Sequence, residues 1–323
     1  MRAVRVDRFG GPDTLVTNEV PDPVAGPGQV VVQVAAADVL FVETQIRAGA
    51  WGDVFGMEPP YLPGGGVAGT VRAVGEGVSD DWIGRVVATP TADRAGGYAE
   101  LALAPADGLV PVPDGLATHD AAALVHDGPT ALTLFDDTGM RPGDQVLLTG
   151  AAGAAAVLVV QLARAAGARV VAAARGRRKL ELLTELGADV VVDYAEPDWI
   201  ERVLVATGEG PDIVLDGVGG AIGAAAFEIT ARGGQFSAHG APSGGFAPID
   251  PDEARRREIR LRGIAELQVS PERLTSLLTR ALAGAAAGTI KPVIGQTFPL
   301  EKAADAHSAI EAREVLGKTL LLV

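Results

Sequence analysis

Seven consecutive small residues, Gly150-Ala151-Ala152-Gly153-Ala154-Ala155-Ala156, follow the apolar run QVLLT and open the helical stretch AAAVLVVQLARAAG. A strand ending in so tight a turn offers backbone N–H groups and the positive end of a helix, the means by which proteins hold a pyrophosphate. Gly153 falls where the backbone would come closest to the phosphates, with Gly150, Ala151, Ala154 and Ala155 around it. Ala156 stands where helix and sheet must pack tightly, a position that accepts alanine. The alternative is a strand-to-helix turn with no ligand. A second apolar run, RVVAAA, ends in Arg175, followed by Arg177, Arg178 and Lys179. Sites selective for NAD place Asp or Glu there for the ribose 2′-hydroxyl. A basic cluster suits a 2′-phosphate, so NADPH is expected over NADH. Cations at a helix N-terminus oppose its dipole, and the cluster therefore asks for an anion; the other reading is a solvated helix start.

These residues need a scaffold. The chain has 323 residues, more than one core usually organises, so two domains are expected. The first part, with MRAVRV, QVVVQVAAA, GTVRAVGEGV, RVVATP and YAELALAP, is β-branched and punctuated by Gly and Pro, and reads as a mostly antiparallel β domain with few helices. From about residue 116 strands and helices alternate at the spacing of a doubly wound parallel sheet. The expected division is 1–117, completed by 263–323, around a dinucleotide domain at 118–262. The net charge of −14 argues against nucleic acid and anionic membrane. There is no cysteine, which removes disulfides and thiolate zinc sites, and the four histidines are not clustered as metal ligands. MRAVRVDRFGG lacks an apolar signal core, and the apolar stretch at 151–174 is broken by Arg164 and Arg169, so a cytoplasmic protein is expected.

The whole chain resembles the zinc-free quinone oxidoreductase (ζ-crystallin-like) branch of the medium-chain dehydrogenase/reductase superfamily. The resemblance lies in MRAVRVDRFGGPDTL, PYLPGGGVAGTVRAVGEGV, GGYAELALAPADGLVPVPDGL, GPTAL, GAAGAAAVLVVQLARAAGARVV, VVDY, DGVGG and GKTLLLV. It implies an α/β protein, a GroES-like β domain plus a Rossmann domain, usually dimeric, with NADPH between the domains. It implies reduction of a quinone or of the C=C of an α,β-unsaturated carbonyl, the protein aligning and polarising the acceptor. Position by position, it places Thr130, Gly153, Ala154 and Ala155 on the nicotinamide side and the phosphates. Arg175, Lys179 and Tyr194 would approach the adenosine phosphate. Gly217, Val218, Gly219, His239, Gly240 and Lys318 would line the cofactor groove.

The chain departs from that pattern in AAADVLFVETQIRAG, where the family often reads AAGVNxxDxYIRxG. Asp38 replaces Gly, Leu40 replaces Asn, Glu43 replaces Asp and Gln45 replaces Tyr. The loss of Asn and Tyr predicts a more apolar acceptor pocket, or polar groups drawn from elsewhere. Asp38, Leu40, Phe41, Gln45, Trp51, Phe55 and Tyr61 are its expected lining, with the aromatic residues as a flat wall or as ordinary loop packing. His126 and Asp127, in LVHDGPT, are the expected catalytic pair, because a His beside a carboxylate serves as a general acid near neutral pH. The alternative is local packing for His126 and helix capping for Asp127. A non-catalytic NADPH-binding protein, structural or sensing, is the competing function.

Overall fold

The computed structural model describes residues 1–51 and 56–323, and it divides into two compact units. The first comprises Met1–Pro129 with Ser270–Val323, and the second Thr130–Val269. Both junctions lie further along the chain than the sequence suggests. The helix Thr118–Leu124 explains the first shift: it buries Ala121–Leu124 against the strands Gln29–Val39 and Gly66–Val74 of the β unit. The helix Pro271–Ala286 packs in the first unit too.

The first unit is built on antiparallel pairing. Gln29–Val39 pairs with Gly66–Val74, with Leu101–Pro105 and with the final strand Lys318–Leu322. Ile294–Pro299 adds to that final strand in parallel. The apolar core between these elements is mostly Val, Ala and Leu, with Tyr98 the largest side chain in it. One charged residue interrupts this apolar pattern: Asp38, one place from the end of the central strand, is fully buried.

The second unit is a six-stranded, all-parallel sheet. Numbered from the first strand of the unit, the spatial order is 3-2-1-4-5-6, the doubly wound Rossmann order. Its first four strands, Gln145–Thr149, Arg169–Ala174, Val190–Asp193 and Ile213–Asp216, are near-continuous apolar runs, as a parallel sheet covered on both faces requires, whereas Arg260–Gly263 at one edge is not. The order reverses between Gln145–Thr149 and Ile213–Asp216, and ligands of such sheets bind at the carboxyl ends of strands flanking that reversal. No helix among the described residues is long and apolar enough to cross a membrane.

Candidate active site and nucleotide cradle

The small-residue turn stands at the reversal. Gly150 takes a φ of 63°, a conformation that L side chains rarely adopt, and Ala151 and Ala152 are buried beneath it. Gly153 is exposed and caps the helix Ala154–Ala165, whose first N–H groups have no partner within the helix. The methyl that distinguishes Ala154 from glycine is only half-buried, so the N–H groups remain presentable. Across the reversal, the turn Gly217-Val218-Gly219 is fixed by Asp216, which no local signal singled out. Its buried carboxylate accepts from Thr149 Oγ1 at 2.6 Å and from the N–H groups of Val218 and Gly219 at 3.1 Å. The N–H groups of His239 and Gly240 donate to the Asp216 carbonyl oxygen at 3.1 and 3.0 Å. Burial depresses the His239 pKa, leaving a neutral ring beside Ser237.

The strand Arg169–Ala174 ends without an acid. Arg175 and Arg178 are exposed and have no ion-pair partner among the described residues, whereas Arg177 pairs with Glu181. Lys179 and Tyr194 are half-buried, Tyr194 packing on the core of this unit, and Thr130 is half-buried in the helix Asp127–Thr138.

In the first unit, four ionisable side chains from distant parts of the sequence converge. His126 lies in the break between the helices Thr118–Leu124 and Asp127–Thr138, and its Nδ1 is 2.8 Å from Asp38 Oδ2. Lys318, the first residue of the final strand, donates from Nζ to Asp127 Oδ2 at 2.6 Å and to Asp38 Oδ2 at 3.2 Å. The side chains are 0% (Asp38), 3% (Lys318), 14% (Asp127) and 24% (His126) exposed. Burial opposes the charge on Asp38, but Lys318 and His126 outweigh it and hold its pKa below the usual value. Burial likewise opposes protonation of His126, and the Asp38 carboxylate outweighs it, so the ring pKa is raised. Lys318 is raised as well, burial being overcome by its two carboxylates.

Lys318, expected beside the cofactor groove, has its ammonium buried on Asp38 and Asp127. Of the two alternatives for the pocket, polar groups drawn from elsewhere are what surround Asp38: His126 and Lys318 contact it directly, and Asp127 joins through Lys318. Gly66 makes room for them. A Cβ there would lie 2.7 Å from a Val125 methyl carbon and 2.8 Å from both Asp38 Oδ1 and His126 Cε1. Gly66→Ala is therefore expected to destabilise the fold by about 1–3 kcal/mol through overpacking. A chemical-denaturation midpoint measures it, and an unchanged midpoint would show that the His126 ring gives way freely.

Of the remaining expected pocket residues, Leu40, Phe41, Gln45 and Trp51 gather at one short helix. Leu40 caps the helix Phe41–Arg47, and Phe41 and Gln45 are half-buried on it. Trp51 is exposed, with Nε1 donating to Gln45 Oε1 at 3.1 Å. Tyr61 packs against the core of the β unit, and burial pushes its hydroxyl pKa up to about 12. Phe55 lies outside the described residues. Among those described, Trp51 and Tyr61 form no common aromatic wall.

Comparison with known proteins agrees with this architecture. Residues 26–114 match the alcohol dehydrogenase GroES-like domain and residues 156–282 the zinc-binding dehydrogenase domain. A mycobacterial protein solved in complex with NADPH superposes with a TM-score of 0.91 at 31% identity, covering 100% of both chains. The 2-haloacrylate reductase of a Burkholderia species is 32% identical, covering 99% of this chain and 98% of its own length. The quinone oxidoreductase of Mus musculus is 34% identical over 330 residues, covering 100% of this chain and 98% of its own. The chain belongs to the zinc-free quinone oxidoreductase-like branch of the medium-chain dehydrogenase/reductase superfamily.

In this quinone oxidoreductase-like chain, no group of three or more His, Asp or Glu residues among those described could hold a metal ion. In the run Pro63-Gly64-Gly65-Gly66, the Gly65 N–H donates to Glu43 Oε1 at 3.0 Å. Glu43 anchors a second buried network. Its Oε2 accepts from the Leu40 N–H at 2.8 Å and from the Tyr98 hydroxyl at 2.7 Å. Burial first, then the Asp38 charge, raises its pKa. The Tyr98 proton is spent on Glu43, so the Tyr98 oxygen accepts from His307 Nε2, 3.1 Å away. Arg47, 1% exposed, donates to the carbonyl oxygen atoms of Gly10 and Thr44 and pairs with Glu311. Neither Tyr98 nor His307 was visible as a site residue in the sequence.

Proposed function

We propose that this protein is an NADPH-dependent reductase that delivers hydride to a quinone or to the C=C of an α,β-unsaturated carbonyl compound. The observation that carries this reading is the pairing of two features at one sheet edge. One is the Gly150–Ala156 turn at the topological reversal; the other is Arg175 and Arg178, exposed and without an ion-pair partner among the described residues, where an NAD site would place an acid. Gly153, Ala154 and Ala155 would hold the pyrophosphate by backbone N–H groups, and Arg175 and Arg178 the 2′-phosphate. Bound NADPH supplies the hydride; the protein binds, orients and shields the acceptor. The NADPH complex of the mycobacterial relative, and the names quinone oxidoreductase and 2-haloacrylate reductase among relatives, support the same reading. A homodimer belongs to this reading and is checked by light scattering.

Thermal-shift titration with NADPH and NADH in parallel tests it, since a ligand that binds only the native state stabilises it by mass action. A larger shift with NADPH is expected. Arg175→Ala should weaken NADPH binding about 10- to 100-fold, the worth of a charge-assisted bond to phosphate, and leave NADH binding unchanged. No shift with either nucleotide at millimolar concentration would defeat the proposal.

A further inference from the structure

Asp216 ends the strand Ile213–Asp216 with a carboxylate that is 0% exposed and has no ion-pair partner among the described residues. A buried charge without a cation is expensive unless hydrogen bonds replace its water. Its hydrogen-bond partners are all donors: the Thr149 hydroxyl and the N–H groups of Val218 and Gly219. Only an acceptor-only group satisfies such a set, so a carboxylate fits where an amide would not. Gly223, on the helix Gly220–Glu228, walls in the other side, since a Cβ there would collide with Asp216 Oδ2. These bonds join the two strands that flank the reversal. Thr149 ends Gln145–Thr149 and directly precedes Gly150. Its Oγ1 donates to Asp216 and accepts from the Gly217 N–H at 3.2 Å. From the opposite lip, Gly217 and Val218 press on the cradle: a Cβ at Gly150 would lie 3.2 Å from a Val218 methyl carbon and 3.3 Å from the Gly217 carbonyl oxygen. The Val218 carbonyl oxygen in turn accepts from Ser243 Oγ at 2.9 Å. One carboxylate thus sets where the two lips stand relative to each other.

We propose that, within the reductase reading on which this inference rests, Asp216 and Thr149 are positioning residues that latch the nucleotide cradle and set its affinity for the part that NADPH and NADH share. Arg175 and Arg178 choose between the two nucleotides; the latch is blind to that choice. The sign of its effect is distinctive. A carboxylate beside an anion site repels the anion, so removing its charge alone would tighten nucleotide binding. Breaking the latch weakens binding instead, because the backbone N–H groups are no longer held in place before the phosphates arrive.

The test uses the full-length protein. Binding of NADPH and of NADH is followed by the fluorescence of the reduced nicotinamide, with denaturant midpoints of the cofactor-free protein alongside. Thr149→Val keeps the branched shape of the side chain and removes both hydrogen bonds of its hydroxyl. It should weaken NADPH and NADH binding by the same factor, about 10-fold, the worth of a hydrogen bond to a charged group. Thr149→Ser, which keeps the hydroxyl, should bind both nucleotides as the wild-type protein does. Asp216→Asn should weaken both at least as much as Thr149→Val, despite the lost negative charge. A lowered denaturant midpoint in Thr149→Val with both affinities unchanged would reduce the pair to a structural role and overturn the proposal. Tighter binding in Asp216→Asn, the result expected of charge alone, or a loss confined to NADPH would overturn it too. Where Asp216→Asn does not fold, the two Thr149 variants decide. Binding of neither nucleotide to the wild-type protein defeats the reductase reading itself, which keeps the two failures apart.

Discussion

Replacing Lys318 with methionine is expected to cost about 3–5 kcal/mol of folding stability, the range for removing one partner of a buried ion pair. Methionine keeps much of the volume, so the loss would be electrostatic rather than a cavity. Lys318 is the cation for both Asp38 and Asp127, each buried or nearly so, and its removal leaves Asp127 without a charge-assisted partner. His126 would have to balance two carboxylates alone. Denaturant midpoints at constant m-value measure the loss. Adding Asp127→Asn to Lys318→Met should restore part of it, because the second change removes the charge that the first left uncompensated. A loss below about 1 kcal/mol for Lys318→Met would mean that water reaches these carboxylates.

Acid should weaken the fold through His307. Its pKa is lowered to about 3, first by burial and then by the Arg47 guanidinium. The ring is poorly placed for a charge: Nδ1 is buried without a hydrogen-bond partner among the described residues, and Nε2 is tied to Tyr98. The unfolded chain takes up this proton near pH 6.5 and the folded chain only near 3, so the stabilisation is complete above 6.5 and lost as pH falls between them. The loss approaches about 4 kcal/mol at the acid end and about 2 kcal/mol between pH 7 and pH 5. Asp38, depressed below its ordinary carboxylate value, adds a loss of the same sign at lower pH, while Glu43, raised, contributes in the opposite sense. His307→Gln isolates the histidine: its unfolding free energy should fall by about 2 kcal/mol less than the wild-type value between pH 7 and pH 5, what remains coming from His239, lowered by burial, set against His126, raised by Asp38. Parallel pH profiles for the two proteins would show that His307 is protonated as readily in the fold as outside it.

Much of the Rossmann half was legible because its signals are local. Apolar strands, helical leucine spacing in RRKLELLTELG and the Gly150–Ala156 turn each act over a few residues, and they sit in the structure near where the pattern puts them. The Asp38–His126–Lys318 cluster was only half legible. His126 and Asp127 stood out as neighbours in sequence, but their partners lie 88 and 191 positions away, and no local pattern pairs them. The usable clue was an aspartate inside the apolar strand QVVVQVAAADV, since a buried charge requires a counter-charge. A lysine opening the equally apolar KTLLL was the matching half. The Glu43–Tyr98–His307 network left no such clue: Tyr98 and His307 are residue types that a core accepts singly.

The first unit is assembled from both ends of the chain, while the second is continuous. During synthesis, Thr130–Val269 has all its strands before Ser270–Val323 has been made, and domains generally fold as units as they emerge. Asp38 and Asp127 therefore wait for Lys318, which is made after the whole of the second unit. A chain interrupted before that point would carry a finished nucleotide fold beside two carboxylates with no lysine to close on. The strand Lys318–Leu322 thus closes the charge balance of the site only after every strand of the nucleotide fold has been made.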